Sequence, residues 1–382
     1  MNVGTQRPLG RRGPWRIASL LSGLVIAGLL VAGCAELPGT GGDTEAEDGT
    51  TVSLADAEAL ADPKSYEGAT HASLGEQAVR PIVEDPKQQL PVTVTDAQGT
   101  EVTVTDTSRI LALDIYGTLA QTVFELGLGG QVVGRDISTQ FAEASELPLV
   151  TGNGHELVAE QILALDPTVI LTDTSLGPWD VILQMRDAGI PVVVMDSHRG
   201  IDSVGSLTRE VARSLGVTEA GKKLARRTES EIEAARAEIA KVAPGAVQDQ
   251  LRTVFLYVRG QAGVYYMFGE GSGADDLISG VGGYDVAEEI GWSGMKPVTD
   301  EGIIAAQPEL ILMMTKGLES VGGVDGLLER LPALAQTPAG QRKRIVDMQD
   351  SAILGYGPRT AEVLESLAVA IYAPSAAEAS DE

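Results

Sequence analysis

The chain has three histidines. One of them, His155, stands in Thr151-Gly152-Asn153-Gly154-His155-Glu156-Leu157. A glycine-rich loop carries a side chain away from the core and lets the backbone aim it. A neutral imidazole so placed can give a nitrogen lone pair to a metal, its other nitrogen needing a hydrogen-bond partner. A plain surface or loop-satisfied histidine is the alternative. Further along, Tyr257-Val258-Arg259-Gly260 closes a strand-like run at 253–258, so Tyr257 and Arg259 point to one face. A cation beside a phenol favours phenolate, a hard anionic donor suited to ferric iron. The alternative is an aromatic residue packed in a sheet core.

Two other stretches look chemical and are set aside. Asp196-Ser197-His198-Arg199 holds the residue types of a hydrolytic triad, but sequence neighbours rarely meet as one and no Gly-x-Ser-x-Gly elbow surrounds Ser197. It reads as a loop after a strand, lining a cleft at most. Gly269-Glu270-Gly271-Ser272-Gly273-Ala274-Asp275-Asp276 lacks the Gly-Lys-Ser/Thr ending of a phosphate loop and reads as a strand-to-helix turn.

An internal repeat supplies the elements that must position these residues. Glu160-Gln161-Ile162-Leu163-Ala164-Leu165-Asp166-Pro167-Thr168-Val169-Ile170-Leu171 is matched, at a constant offset of 141, by Glu301-Gly302-Ile303-Ile304-Ala305-Ala306-Gln307-Pro308-Glu309-Leu310-Ile311-Leu312. Each copy predicts a short helix stopped before Pro, then a buried strand. Further strands are expected at 110–115, 132–134 and 192–195 in the first half and at 253–258, 264–268 and 345–348 in the second. Strands alternating with helices imply an α/β protein of two Rossmann-like lobes with parallel sheets. Residues 219–242, rich in Ala, Glu, Lys and Arg, predict one long helix of about 35 Å joining the lobes. A surface helix within one lobe is the alternative. A hairpin at 91–104 marks where the fold begins.

Ahead of the lobes, Arg7, Arg11, Arg12 and Arg16 precede an apolar run at 17–32. The run falls short of the roughly 20 residues that span a bilayer and fits an export signal. Val31-Ala32-Gly33-Cys34 resembles a bacterial lipobox, in which the Cys thiol takes a diacylglycerol; a buried Cys closing an ordinary anchor helix is the alternative. Arg11-Arg12 is compatible with twin-arginine export, but Pro14 and Trp15 follow it poorly and the general route is preferred. The expected organisation is a signal peptide at 1–33, lipidated Cys34 and a flexible acidic tether at 34–90, a first lobe at 91–215, the connecting helix at 216–244, and a second lobe at 245–382 with a short disordered tail. His71 falls in the tether and is expected to do nothing. Composition agrees: 54 Asp plus Glu against 28 Lys plus Arg argues against nucleic acid as partner, and one Cys excludes an intrachain disulfide.

Export, lipid anchor, tether and paired lobes about a helix resemble the helix-linked substrate-binding proteins that carry ferric siderophores, cobalamin or heme to ABC importers. The resemblance spans roughly residues 91–374. Within that class the His155 segment, Tyr257-Val258-Arg259-Gly260 and Gly263-Val264-Tyr265-Tyr266-Met267-Phe268-Gly269 are similar to the heme-receptor lipoproteins of Gram-positive actinobacteria. The resemblance implies a non-enzymatic, monomeric, membrane-anchored receptor for heme b, with His155 and Tyr257 as axial iron ligands and Arg259 beside the tyrosine. The implied partners are a permease dimer and its ATPase. Arg359, in the turn Leu354-Gly355-Tyr356-Gly357-Pro358-Arg359-Thr360, is then a propionate partner or else a capping residue. Tyr265, Tyr266, Met267, Trp292, Met313 and Met314 line the porphyrin or belong to the core. The repeat-equivalent acids Glu160 and Glu301 dock the permease in such receptors, and each also suits a helix first turn. The runner-up functions are a receptor for a ferric siderophore or cobalamin and, further behind, an exported enzyme.

Overall fold

The computed structural model describes residues 52–75 and 78–380; the expected leader, Cys34 and the start of the tether lie outside the described residues. From Val52 onward the tether expectation is corrected. Leu54 and Ala72 are buried, and β1 (Thr70–Ala72) pairs in parallel with the strand Ile345–Met348 of the second lobe, Thr70 opposite Val346. The chain then crosses to the first lobe, where Val79, Ile82, Val83 and Leu90 pack on the core and the Gln89 amide donates to Gly216 O at 2.8 Å. The apolar residues here are too sparse and irregular to show a period. Each nevertheless meets an apolar surface, and an open sheet edge supplies backbone partners. His71, corrected with the rest, sits on β1 with its Nδ1 2.8 Å from Asp347 Oδ2. The tail expected to be disordered is helical at Pro374–Ser380, with Ala377 buried.

The first lobe holds β2 (Ile110–Leu113), β3 (Val169–Thr172) and β4 (Val192–Val194), parallel and in the order β2-β3-β4. Every residue of the three is buried, as continuous apolar runs covered on both faces require. The strand expected at 132–134 is only a bridge from Val132 to Ile110. The hairpin Val92–Thr95 with Glu101–Val104 forms as expected.

The second lobe contributes β5 (Arg252–Arg259), β6 (Val264–Phe268), β7 (Tyr284–Asp285), β8 (Met295–Pro297), β9 (Leu310–Met314) and β10 (Ile345–Met348). With β1 they make a seven-stranded sheet, β1-β10-β9-β5-β6-β8, with β7 beside β5. It is mixed: β1, β10, β9 and β5 run parallel, β6 runs antiparallel to β5, and β8 runs antiparallel to β6. Only the short turn Gly260–Ala262 joins β5 to β6, too short for a parallel crossover.

The repeat persists in backbone geometry. Helix α1 (Ala159–Ala164) ends ahead of Asp166 at φ 48°, and α2 (Asp300–Ala306) ends at its counterpart Gln307 at φ 43°, both left-handed and both followed by a buried proline. In each lobe an arginine at the sheet entrance serves the exposed helix end. Arg109 Nε donates to Asp166 O, and Arg252 Nη2 donates to Ala306 O at 2.8 Å.

One helix, Thr218–Val242, links the lobes. Its inward residues Leu224, Thr228, Ile232, Ala235 and Ile239 follow helical spacing and are buried. Leu224 belongs to the first lobe's core, whereas Ile232 and Ile239 belong to the second's, beside the helix α3 (Thr360–Tyr372).

Buried Arg344 ties β1 to α3: Nη1 donates to Thr70 Oγ1 at 3.2 Å and Nη2 to Ile371 O at 2.6 Å, with the guanidinium 4.4 Å from the Tyr66 ring centre. Arg344→Ala is expected to cost about 3 kcal/mol in urea denaturation, because it strands buried acceptors. Limited proteolysis should then cut first within residues 52–75. An unchanged midpoint with an intact segment would contradict the ordering assigned to this strap.

Candidate functional site

The C-terminal ends of the parallel strands in both lobes carry the candidate chemistry, as open α/β sheets generally arrange it. In the first lobe His155 leaves a tight turn between the strands Thr151–Gly152 and Glu156–Leu157. Asn153 at φ 43° and Gly154 at φ 87° fold that turn through the left-handed region, which Asn and Gly tolerate best. His155 is half-buried, and its Nδ1 is buried with no hydrogen-bond partner among the described residues. Buried polar atoms are normally paired, so an orphan nitrogen is a donor atom awaiting an acceptor or a metal. Burial holds the imidazole's pKa below its usual value, and the charges of Arg259 and Lys316 add to this against an opposing contribution from Asp350. All three of those charged residues belong to the second lobe. The first lobe's imidazole therefore lies within the field of the second lobe's charges, and the shift favours its neutral form, which has a lone pair available.

In the second lobe Tyr257 lies near the end of β5, partly buried, and Arg259 Nε donates to its phenolic oxygen. The Arg259 guanidinium also lies 5.5 Å from the Tyr257 ring centre. The Tyr257 ring stacks on Phe268 with centroids 5.9 Å apart. Lys316, beyond the end of β9, is exposed, and its backbone amide donates to Asp350 Oδ1 at 3.0 Å. Sequence reasoning passed over Lys316 and Asp350; the available signal was that each follows a buried strand, where a cleft opens.

Strand alternation sorts the remaining candidates. Tyr257, Tyr266 and Met314 pack on one core of the second lobe. Met267 and Met313 are core residues of the opposite face, with Tyr265 and Trp292 against them. Of the two readings open to these last four, lining the site or belonging to the core, the second holds: Tyr265, Met267 and Met313 alternate away from Tyr257's face along β6 and β9, and Trp292 packs with them. Arg359 lies where the lobes meet, in a crevice with Tyr116, Thr118, Gln140 and Ser351, its Nε donating to Glu362 Oε2 at 2.8 Å. Its turn abuts the first lobe directly, since a Cβ on Gly357 would come within 2.6 Å of Thr118 Cγ2. Gln349 Nε2 also reaches across to Gln140 Oε1 at 3.2 Å. Glu160 and Glu301 stand exposed in the first turns of α1 and α2, with no ion pair to either among the described residues.

The two stretches set aside prove structural. Arg199 is buried, with Nη2 2.6 Å from Asp173 Oδ2, and the Ile201 amide donates to Asp276 Oδ2 at 3.0 Å, joining the lobes. Gly269–Asp276 is the turn into the helix Ala274–Gly280, Asp275 accepting from the Gly271 and Gly273 amides.

Sequence reasoning missed a buried acid cluster here. Asp114 and Asp173 each follow a first-lobe strand, and Asp136 accepts from the Asp114 amide at 3.2 Å. Two of the three carboxyls, Asp114 and Asp173, share one guanidinium: Asp114 Oδ2 lies 3.8 Å from Arg199 Nη2, within ion-pair reach but not hydrogen-bonded. Burial first, then the neighbouring Asp173 carboxylate, pushes Asp114 up to about 7 despite Arg199; burial pushes Asp136 up to about 6.

The sequence profile of the periplasmic binding protein family matches residues 115–352. The chain belongs to that family. A curated relative, an uncharacterized ABC transporter substrate-binding lipoprotein of Bacillus subtilis (strain 168), is 25% identical over 287 residues, 74% of this chain and 86% of the relative. Among solved structures, the heme binding protein HmuT is 40% identical with a TM-score of 0.76, covering 81% of this chain and 99% of that one. The periplasmic heme-binding protein RhuT from Roseiflexus sp. RS-1, in apo form, is 38% identical with a TM-score of 0.63, covering 71% of this chain and 100% of that one. Other HmuT structures are variants with one His, Tyr or Arg replaced, that Tyr and Arg standing two positions apart.

Raised carboxyl pKa values make stability pH-dependent. Between about 4 and about 7 the folded chain holds protons on Asp114 and Asp136 that the unfolded chain has released, so this stabilisation is full at the acid end and is lost as pH rises. Asp114→Asn should flatten the decline of the urea midpoint across that window, and a decline equally steep in the variant would remove Asp114 as its source.

Proposed function

We propose that this protein is an extracytoplasmic receptor that binds heme and delivers it to an ABC importer, held to the membrane through lipid on Cys34. One observation carries the reading: a first-lobe imidazole with an orphan nitrogen lies within the field of second-lobe Arg259, the same residue that donates to the Tyr257 phenol. His155 and Tyr257 take the two axial positions of a ferric porphyrin, one donor from each lobe. Arg259, held on the phenolic oxygen, offsets the negative charge that a bound phenolate brings to the iron. Met314 and Tyr266 share Tyr257's face and meet the apolar macrocycle, while Lys316 and Arg359 are the cations assigned to the two propionates. The HmuT relatives support this assignment, since the spacing of the replaced Tyr and Arg is that of Tyr257 and Arg259. The cargo is heme b, carried as a substrate and unchanged, by a monomer that hands it to a permease dimer and its ATPase.

Titration of the purified protein with hemin is expected to give a saturable Soret shift. Tyr257→Ala should weaken retention at least about tenfold and move the charge-transfer bands, since an anionic ligand to ferric iron is lost. His155→Ala should alter the ligation-sensitive bands with a smaller loss of affinity. Spectra identical to wild type in both variants would dismiss the ligand pair, and tight uptake of a ferric siderophore or cobalamin with no hemin response would replace the cargo.

A further inference from the structure

One carboxylate holds two guanidiniums where the lobes meet. Arg359, in the turn before α3, is 8% exposed, and its Nε donates to Glu362 Oε2 at 2.8 Å. Nη2 lies 2.7 Å from the same oxygen yet has no hydrogen-bond partner among the described residues. Buried donors are normally satisfied, so this nitrogen has hydrogens left for a further acceptor. The crevice beside it has about 30 Å³ of free space, enough to admit one water-sized group such as a carboxylate oxygen. The other oxygen of Glu362, Oε1, lies 3.4 Å from Arg80 Nη2. Arg80 comes from the strap and is fixed on three further sides. Its guanidinium pairs with Glu231 of the linking helix at 3.3 Å, its amide donates to Glu125 of the first lobe at 3.1 Å, and its carbonyl accepts from Arg227 Nη1 at 2.8 Å.

We propose that Glu362 is the positioning residue that sets selectivity for the cargo's carboxylate. It aims Arg359 through Nε, leaves the Nη2 edge open for a propionate, and damps the positive charge that the propionate meets. This rests on the reading of Arg359 as a propionate partner. Arg80 sets the damping, because a second cation on the same carboxylate offsets part of the field that Glu362 exerts on Arg359. A buried guanidinium with no anion beside it would grip a carboxylate and release it slowly. One that already carries a carboxylate gains less from a second. A receptor that hands its cargo on needs release as much as capture, and the tempered cation suits both.

The test compares hemin with hemin dimethyl ester, which keeps the iron and the macrocycle but carries no carboxylate, on the full chain in detergent. Glu362→Gln keeps an oxygen acceptor for Arg359 Nε and removes the charge, so hemin should bind about threefold or more tightly and leave more slowly, with ester binding unchanged. Arg80→Gln, at a residue that does not line the crevice, should act in the opposite sense, weakening hemin about twofold to fivefold and again sparing the ester. Arg359→Ala should cut the preference for hemin over the ester about tenfold. A merely structural part for Glu362 or Arg80 would move both ligands together, and that result would overturn the proposal. Hemin affinity in Glu362→Gln at or below that of wild type, with the preference still cut in Arg359→Ala, would also overturn it and leave the propionate seat standing. A preference unchanged in Arg359→Ala would remove the seat and the proposal with it. Failure of the wild-type chain to take up hemin would strike the cargo reading itself.

Discussion

The linking helix Thr218–Val242 is shared between two hydrophobic cores, and that sharing sets what the rest of the molecule can do. Leu224 is buried in one core and Ile232 and Ile239 in the other, so swinging the lobes apart would withdraw apolar side chains from one or both. The strap at 52–90 crosses between the lobes a second time, with β1 paired in the second and Leu90 packed on the first. Two crossings and the direct bonds Gln349 to Gln140 and Ile201 to Asp276 leave little freedom for a wide hinge. A frame so constrained keeps the ordering cost of binding low.

Charge is distributed unevenly about that cleft. The chain carries a formal charge of −26, yet Arg259 and Lys316 stand at the second lobe's strand ends, where their fields reach His155. The first lobe answers with acids, but buries them: Asp114, Asp136 and Asp173 are all buried, with Arg199 against Asp114 and Asp173. Raised pKa values reduce the negative charge that Asp114, and to a smaller degree Asp136, presents near neutrality. The cleft is therefore less acidic than the composition suggests, which suits an anionic ligand.

Much of this was legible in the sequence where a local rule decides the outcome. The repeat showed because Pro167 and Pro308 end helices at fixed positions, and it persisted to the left-handed residues before them. The linking helix showed because its composition has few alternatives to a helix. The strap did not show, since Leu54, Ala72 and Ile82 follow no period and find their partners only through tertiary contact. The antiparallel edge of the second sheet depends on the shortness of one turn rather than on strand composition. Met267 and Met313 stay open between core and site in the sequence, because residue type cannot say which face of a strand is turned to the site; only register can.

Register also explains how one strand serves both core and cleft. Along the Tyr257 face, Phe255 lies fully buried and meets Phe268 at 5.1 Å, and Phe268 meets Tyr257 at 5.9 Å. The three rings form a ladder that rises from the core to the strand end, so the phenol is held by packing before any ligand arrives. Its oxygen is the one part that leaves the apolar ladder, and there Arg259 meets it. A tyrosine held in this way can present its oxygen in a fixed direction without help from the cargo. His155 gains the same result by different means, since its loop is tied by left-handed backbone and by the Asn153 bond to Glu156 at 3.2 Å rather than by ring packing. The two lobes repeat a fold but not the residue each turns to the cleft, and the difference follows from where that residue sits: Tyr257 on a strand, aimed by the core, and His155 on a turn, aimed by its backbone.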